Sequence, residues 1–187
     1  IDVQVFSIWC DGKKANPFAY ANRQIDTLYA TALRNPDKMI IVKTTAQLLV
    51  AVHQKKLAAM IGVEGGHIIE NDINNLDSLY NRGARYMTLT WNNSTPWSTS
   101  AMEETRDSLL RQPKGLSDFG RNIVKRMNEL GMLVDLSHVG EGTFWDAIST
   151  TTKPVLVSHS CVYSLCPAFR NLKDDQIKAI GENGGVI

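Results

Sequence analysis

Segments with the apolar pattern of β-strands alternate with segments of helical period along the whole sequence. We predict strands at residues 2–9, 38–42, 57–64, 86–90, 132–138 and 154–159, and a last strand that starts near residue 185. Helices are predicted between them, over residues 19–33, 45–56, 76–81, 118–130, 143–148 and 174–180. Such alternation is typical of a parallel sheet with crossover helices, so the sequence predicts an α/β fold.

Three of the predicted strands end on side chains that can bind a metal: Glu64, His138 and His159. Glycines flank Glu64 on both sides, which lets the backbone turn sharply and lets a ligand approach closely. In a (β/α)8 barrel the carboxyl ends of all strands converge on one mouth, whereas distant strands of an open sheet diverge. Several reactive strand ends in one chain therefore favour a TIM barrel.

The same three residues form a chemically suitable ligand set for zinc. Neutral imidazole nitrogens and carboxylate oxygens are common zinc ligands, and a carboxylate such as that of Glu64 can bridge two cations. A single histidine after a strand is more often a hydrogen-bonded structural residue. Three such residues at equivalent places in successive β/α units favour a metal site.

Two polar residues close to these ligands are predicted to have supporting roles. His67 follows two glycines and could be a ligand. We favour a supporting role for it instead, in which it orients Glu64 or binds a backbone carbonyl without touching the metal. Asp135 lies three residues before His138, inside the predicted strand, and a structural role is favoured for it. His53, in a polar part of its helix, is predicted to lie at the surface.

Two further features could serve a substrate. Arg170 follows the His159 strand and can hold a carboxylate with two hydrogen bonds; a salt bridge to Asp174 or Asp175 is an equally good interpretation. The longest connection, residues 92–116, exceeds the roughly 12–15 residues beyond which unstructured loops usually have a function, and we predict that it covers the substrate.

Composition excludes several functional classes. The net charge of +1 argues against a nucleic-acid surface, which needs clustered lysine and arginine. No apolar run approaches the roughly 20 residues that cross a bilayer, and no signal peptide is recognised. The three cysteines have no zinc-finger spacing; Cys161 and Cys166 could form a disulfide or be buried thiols. The compartment stays open, with an extracytoplasmic location favoured slightly over a cytoplasmic one.

Five short motifs, in this order and spacing, resemble the membrane (renal) dipeptidase family of binuclear zinc peptidases. They are residues 64–67 (EGGH), 85–90 (RYMTLT), 135–139 (DLSHV), 158–160 (SHS) and 170–171 (RN). The resemblance implies a (β/α)8 barrel of the metal-dependent hydrolase type that holds two Zn²⁺ ions. It also implies hydrolysis of dipeptides by a metal-bridging hydroxide.

The resemblance assigns roles residue by residue. Glu64 corresponds to the catalytic carboxylate that bridges both metals, and His138 and His159 correspond to ligands of the second metal. Arg170 corresponds to the arginine that holds the carboxylate of the substrate. Trp91 stands where many relatives have a substrate-contacting histidine, a departure expected for a bacterial-type member that leaves substrate preference open.

Two other motifs of the family are not found. The sequence contains no His-x-Asp pair, which supplies ligands of the first metal, and a late aspartate of the family would lie beyond Ile187. We therefore expect residues 1–187 to be a single, partial β/α-barrel metallopeptidase domain.

The function predicted from the sequence is that of a zinc-dependent dipeptidase. A barrel amidohydrolase acting on another amide is the alternative among hydrolases, and a metal-binding relative without catalysis is the alternative if the chain is complete. The expected partner is a small dipeptide, with a homodimer left open, and neither nucleic acid nor a transmembrane segment is expected.

Overall fold

The computed structural model describes residues 1–106 and 115–187, and this part of the chain contains one parallel sheet surrounded by helices. The strands are β1 (Val3–Trp9), β2 (Met39–Ile41), β3 (Leu57–Glu64), β4 (Ala84–Thr88) and β5 (Leu133–Asp135). The helices are α1 (Pro17–Arg34), α2 (Thr45–His53), α3 (Ile73–Asn81), α4 (Ala101–Arg106), α5 (Asp118–Leu130), α6 (Glu141–Thr150) and α7 (Asp174–Asn183). The predicted alternation of strands and helices is confirmed.

Every pairing in the sheet is parallel, and the strands follow the order β1-β3-β4-β5, with β2 paired to the first residues of β3. The register places Trp9 beside Glu64, Glu64 beside Thr88, and Thr88 beside Asp135. Four neighbouring strands therefore end level with one another. Side chains from distant parts of the sequence can meet at this edge.

Among the described residues, the sheet continues past β5 through single bridges, in which Leu156 pairs with Asp135 on one side and with Val186 on the other. The prediction that regular strands reach His138 and His159 is therefore wrong. The backbone N–H of Ser137 donates to the carboxylate of Asp135 instead of to a neighbouring strand, and His138 has a positive φ of 65°. Together these features turn the chain out of the sheet at Ser137 and His138.

Buried apolar side chains fill the space between the sheet and the helices. The fully buried large ones include Ile25, Ile61, Leu76, Leu79, Met87, Ile123, Met127 and Phe144. Helix α5 begins and ends where the sequence predicts. The hydroxyl of Ser117 accepts from the N–H of Gly120, and Gly131 closes the helix with a positive φ of 74°.

The connection between β4 and α5 is more ordered than predicted, because it contains helix α4 and the buried Trp97, whose ring packs against Phe119. Backbone bridges join Ser98 to Thr95 and to Leu116. The rest of this predicted substrate-covering segment, residues 107–114, lies outside the described residues. Its covering role stays a prediction.

Three other predictions from composition and spacing can be compared with the structure. His53 is exposed at the end of α2, as predicted. Cys10 is a buried free thiol, but Cys161 and Cys166 are free and exposed, so neither interpretation of that pair was right. No helix in the described ranges is long and apolar enough to cross a membrane.

Candidate metal centre

Glu64, His138 and His159 meet at the carboxyl edge of the sheet, and their ligand atoms all lie within 4.8 Å of one another. The Nε2 atoms of the two histidines are 2.8 Å apart. Oε1 of Glu64 lies 3.4 Å from Nε2 of His138 and 3.7 Å from Nε2 of His159. Three groups that are 21 to 95 residues apart in sequence thus face one point.

Glu64 is the last residue of β3, and its two oxygens have different surroundings. Oε1 faces the histidines, whereas Oε2 accepts a hydrogen bond of 2.8 Å from the hydroxyl of Ser7 in β1. The close contact with the ring of His138 is the main cause that lowers the pKa of Glu64 below its usual value; burial opposes this shift, and the hydrogen bond from Ser7 adds to it. Glu64 is therefore held as a carboxylate.

His138 is buried and held from both of its ends. Its Nδ1 lies 3.0 Å from Oδ1 of Asn92, and its backbone carbonyl accepts hydrogen bonds from Thr90 and from the N–H of Ala101. Because an amide oxygen only accepts, Nδ1 carries the proton and Nε2 keeps its lone pair. That lone pair is directed at the shared point.

His159 has the same tautomer as His138, and a hydroxyl group rather than an amide determines it. Its Nδ1 lies 2.9 Å from Oγ of Ser158, and this hydroxyl donates to Oδ2 of Asp135 over 2.6 Å. With its proton given to Asp135, the Ser158 oxygen accepts from Nδ1 of His159, and Nε2 again keeps its lone pair. Burial is the main cause that lowers the pKa of His159, and His138 adds to it. Both effects favour the neutral imidazole that a metal needs.

These observations test whether the three residues fit a metal ion. Two nitrogen lone pairs face each other at 2.8 Å, and a cation close to both would offset their mutual repulsion. The nearby carboxylate of Glu64 adds the negative charge that a cation requires. Two imidazoles and a carboxylate are also a ligand set found at catalytic zinc sites, so the residues fit zinc.

Two tryptophans lie beside the metal ligands. The rings of Trp9 and Trp91 pack edge to face with centroids 5.1 Å apart, and Trp91 lies 6.4 Å from the ring of His138. Trp91 was singled out from the sequence, whereas Trp9, Ser7 and Asn92 were missed. Trp9 and Ser7 could have been found by predicting that β1 pairs with β3, because that pairing places both residues beside the end of the strand that carries Glu64.

The remaining predicted residues lie around this centre. Arg170 and His159 line the same open cavity of about 430 Å³. In the described ranges Arg170 forms no ion pair, so the alternative salt bridge to Asp174 or Asp175 is absent. His67 lies outside the converging set, with Nε2 3.2 Å from the carbonyl oxygen of Cys10. Binding a backbone carbonyl is one of the two roles predicted for it.

Comparisons with known proteins identify the family of this chain. The sequence model of the family described as membrane dipeptidase (peptidase family M19) matches residues 1–187. Dipeptidase 3 of Mus musculus is 35% identical over 178 residues, which are 95% of this chain and 35% of the mouse protein. The chain thus spans about a third of that relative.

Solved structures show the same fold. An amidohydrolase from Pseudomonas aeruginosa superposes with a TM-score of 0.84 at 29% identity, over 98% of this chain and 53% of that one. A metallopeptidase from Rhodobacter sphaeroides, bound to a phosphinate mimic of the dipeptide L-Ala-D-Ala, gives a TM-score of 0.84 at 20% identity, over 97% and 59%. The predicted fold class, β/α units of the TIM-barrel hydrolase type, is confirmed.

Proposed function

The chain belongs to the membrane dipeptidase family, peptidase family M19, and we propose that its protein is a zinc-dependent dipeptidase that hydrolyses the peptide bond of dipeptides. The observation that carries the proposal is the convergence of Glu64, His138 and His159, with both Nε2 lone pairs directed at one point. Membership of a metallopeptidase family supports a metal cofactor. The ligand chemistry supports zinc.

Each residue of the centre has a defined task in this proposal. His138 and His159 would hold one zinc ion, and Glu64 would be a ligand shared between that ion and a second one. When bound, such ions polarise the scissile carbonyl and activate a water molecule. Ser7 holds the carboxylate of Glu64 in place, and Asn92 holds the ring of His138 with its proton on Nδ1.

Substrate recognition is assigned to two residues beside the metal ligands. Arg170 has no carboxylate partner in the described residues and shares a cavity with His159, so it is free to bind the C-terminal carboxylate of a dipeptide. Trp91, supported by Trp9, offers an apolar wall beside His138. Indole can donate one hydrogen bond but cannot accept one, so Trp91 suits an apolar side chain of the substrate better than it suits proton transfer.

A second candidate is hydrolysis of another amide, such as an N-acyl amino acid. It is favoured by Trp91, which replaces the histidine expected at a dipeptide site, and by the likeness to a solved amidohydrolase. The free amino group of the substrate separates the two candidates. A dipeptidase should prefer dipeptides to their N-acetylated forms, and an amidohydrolase of the second kind should show the reverse.

The experiment uses the full-length protein with a panel of dipeptides and N-acetylated dipeptides. Dialysis against a chelator should abolish hydrolysis, and added zinc should restore it. Activity that survives prolonged chelation would overturn metal dependence. Tight zinc binding without turnover of any substrate would favour the metal-binding relative that lacks catalysis. The extracytoplasmic location and the homodimer stay predictions.

A further inference from the structure

The carboxylate of Asp135 is fully buried and accepts five hydrogen bonds, from Thr88, from the N–H and hydroxyl of Ser137, and from the N–H and hydroxyl of Ser158. In the described part of the chain, no cationic side chain forms an ion pair with it. A buried charge is costly unless its hydrogen bonds are satisfied. Here neutral donors alone satisfy it, so each must direct its hydrogen at Asp135.

Because Asp135 only accepts hydrogen bonds, it fixes the direction of the hydrogen bonds around His159. Ser158 gives its only hydroxyl proton to Oδ2 of Asp135 and must accept from Nδ1 of His159. Ser137 gives its proton to Oδ1 and accepts from the backbone N–H of His159 over 3.1 Å. Both the ring and the backbone of His159 are thereby connected to Asp135 through one serine each.

His138 has a separate support, because its Nδ1 is bound by Asn92 and not by this network. Asp135 therefore acts on one histidine of the pair. We propose that Asp135 is a positioning residue that sets the tautomer of His159 through Ser158, and its backbone position through Ser137. The inference rests on the proposed function, since a tautomer with a free Nε2 matters because zinc would bind there.

The Asp135→Asn variant should reverse this network. Two backbone N–H groups, of Ser137 and Ser158, donate to Oδ1 and cannot change direction, so the amide oxygen must stay at that position. The new amide NH₂ then faces the hydroxyl of Ser158. The hydroxyl has to accept from it and turn its own proton towards His159, which places the imidazole proton on Nε2 and blocks the lone pair.

A matched pair of variants at Ser158 tests the same relay without a change in the buried carboxylate. Ser158 is exposed, so a larger side chain is tolerated there. Ser158→Thr keeps the hydroxyl, and Ser158→Ala removes it. If the relay operates, Ser158→Thr should behave like the parent protein and Ser158→Ala should resemble Asp135→Asn.

Two measurements on the full-length protein decide the question. Long-range ¹H–¹⁵N spectra of the metal-free, ¹⁵N-histidine-labelled protein identify the protonated ring nitrogen of His159, assigned from the signals that His159→Gln removes. Competition with a chromophoric chelator gives zinc affinity. We expect the ring proton of His159 on Nδ1 in the parent and in Ser158→Thr, and away from Nδ1 in Asp135→Asn. We expect zinc affinity to fall about 10- to 100-fold in Asp135→Asn and in Ser158→Ala.

The inference is overturned if Asp135→Asn keeps the tautomer of the parent, or if the parent carries the proton on Nε2. If Asp135→Asn does not fold, Ser158→Ala decides, and parental tautomer and zinc affinity in that variant would overturn the relay. If the parent binds no zinc and cleaves no dipeptide, the proposed function fails. The tautomers of the metal-free variants then still decide the positioning role of Asp135.

Discussion

Oε1 of Glu64 lies 3.4 Å from Nε2 of His138, although the two residues are 74 positions apart in the sequence. The contact exists because β3 ends beside β4, and β4 ends beside β5, all in parallel register. It places a carboxylate next to an imidazole, and both face the point that they share with His159. The pair is therefore arranged for a shared cation, and the variants below test the groups around that cation.

Replacing Glu64 with Gln keeps the shape of the side chain but removes its charge. We expect the Glu64→Gln variant of the full-length protein to lose at least one zinc ion, because an uncharged amide cannot balance two cations. Elemental analysis measures the zinc content directly. The control Glu129→Gln changes an exposed side chain that pairs with Arg126 and is not one of the converging ligands, so it should keep the zinc content of the parent. An unchanged zinc content in Glu64→Gln would exclude the bridging role.

Asn92 should be needed for zinc affinity although it is not a ligand. Asn92→Ala removes the acceptor that holds the proton on Nδ1 of His138, whereas Asn92→Asp keeps an acceptor in place. We expect a loss of about 10- to 100-fold in zinc affinity for Asn92→Ala and a much smaller change for Asn92→Asp. Equal affinities of Asn92→Ala and the parent would show that His138 does not depend on this contact.

Arg170→Ala should weaken hydrolysis mainly through the substrate carboxylate. A charge-assisted bidentate contact in a shielded site supports an expected loss of about 2–4 kcal/mol in kcat/KM for dipeptides. Dipeptide amides lack that carboxylate, so they should be poor substrates of the parent and little affected by the change. Equal losses on dipeptides and their amides would instead assign Arg170 a structural role. The exposed Arg34, replaced with Ala, is the matched control.

Trp91 should contribute to the binding of apolar substrate side chains. Trp91→Ala removes both the aromatic wall and the contact with Trp9, and we expect a loss of about 0.5–1.5 kcal/mol in kcat/KM for dipeptides with large apolar side chains. Trp91→Phe keeps an aromatic ring and should lose less. The test compares kcat/KM for a large apolar dipeptide and for a dipeptide of glycine, and a similar loss on both would contradict the assignment.

Tyr86 should make stability fall at high pH. Its ring lies where a Cβ atom of Gly62 would be. Burial raises the pKa of Tyr86 to about 12 from an ordinary value near 10, and Asp135 and Glu64 add to the shift. The folded state thus binds the phenolic proton more tightly than the unfolded chain does. Its contribution is complete below pH 10 and is lost as pH rises towards 12.

The variant Tyr86→Phe isolates this effect. Between pH 10 and pH 12 the parent should lose about 2 kcal/mol more unfolding free energy than Tyr86→Phe does, which is most of what two pKa units imply. Urea unfolding of both full-length proteins at several pH values measures the difference. Tyr163→Phe, at an exposed tyrosine, serves as the control. Parallel pH profiles of Tyr86→Phe and the parent would contradict the expectation.

The local features of the fold could be predicted from the sequence. Helix α5 was placed correctly because its start at Ser117 and its end at Gly131 depend on short-range hydrogen bonds and backbone conformation. Strand β3 was placed correctly because its apolar run is continuous and ends at a glycine-flanked Glu64. The early end of β5 could not be predicted from nearby residues. Part of its cause is the backbone N–H of Ser158, 23 residues later, which donates to the carboxylate of Asp135.

The sequence by itself determined the parallel β/α architecture and the identity of Glu64, His138 and His159, because apolar periodicity and residue type are local properties of the chain. Only the tertiary structure decided how those residues are held. Ser7 reaches Glu64 across 57 residues, and Asn92 reaches His138 across 46. Hydrogen-bond direction and imidazole tautomer depend on such partners, which become neighbours only when parallel strands align their carboxyl ends.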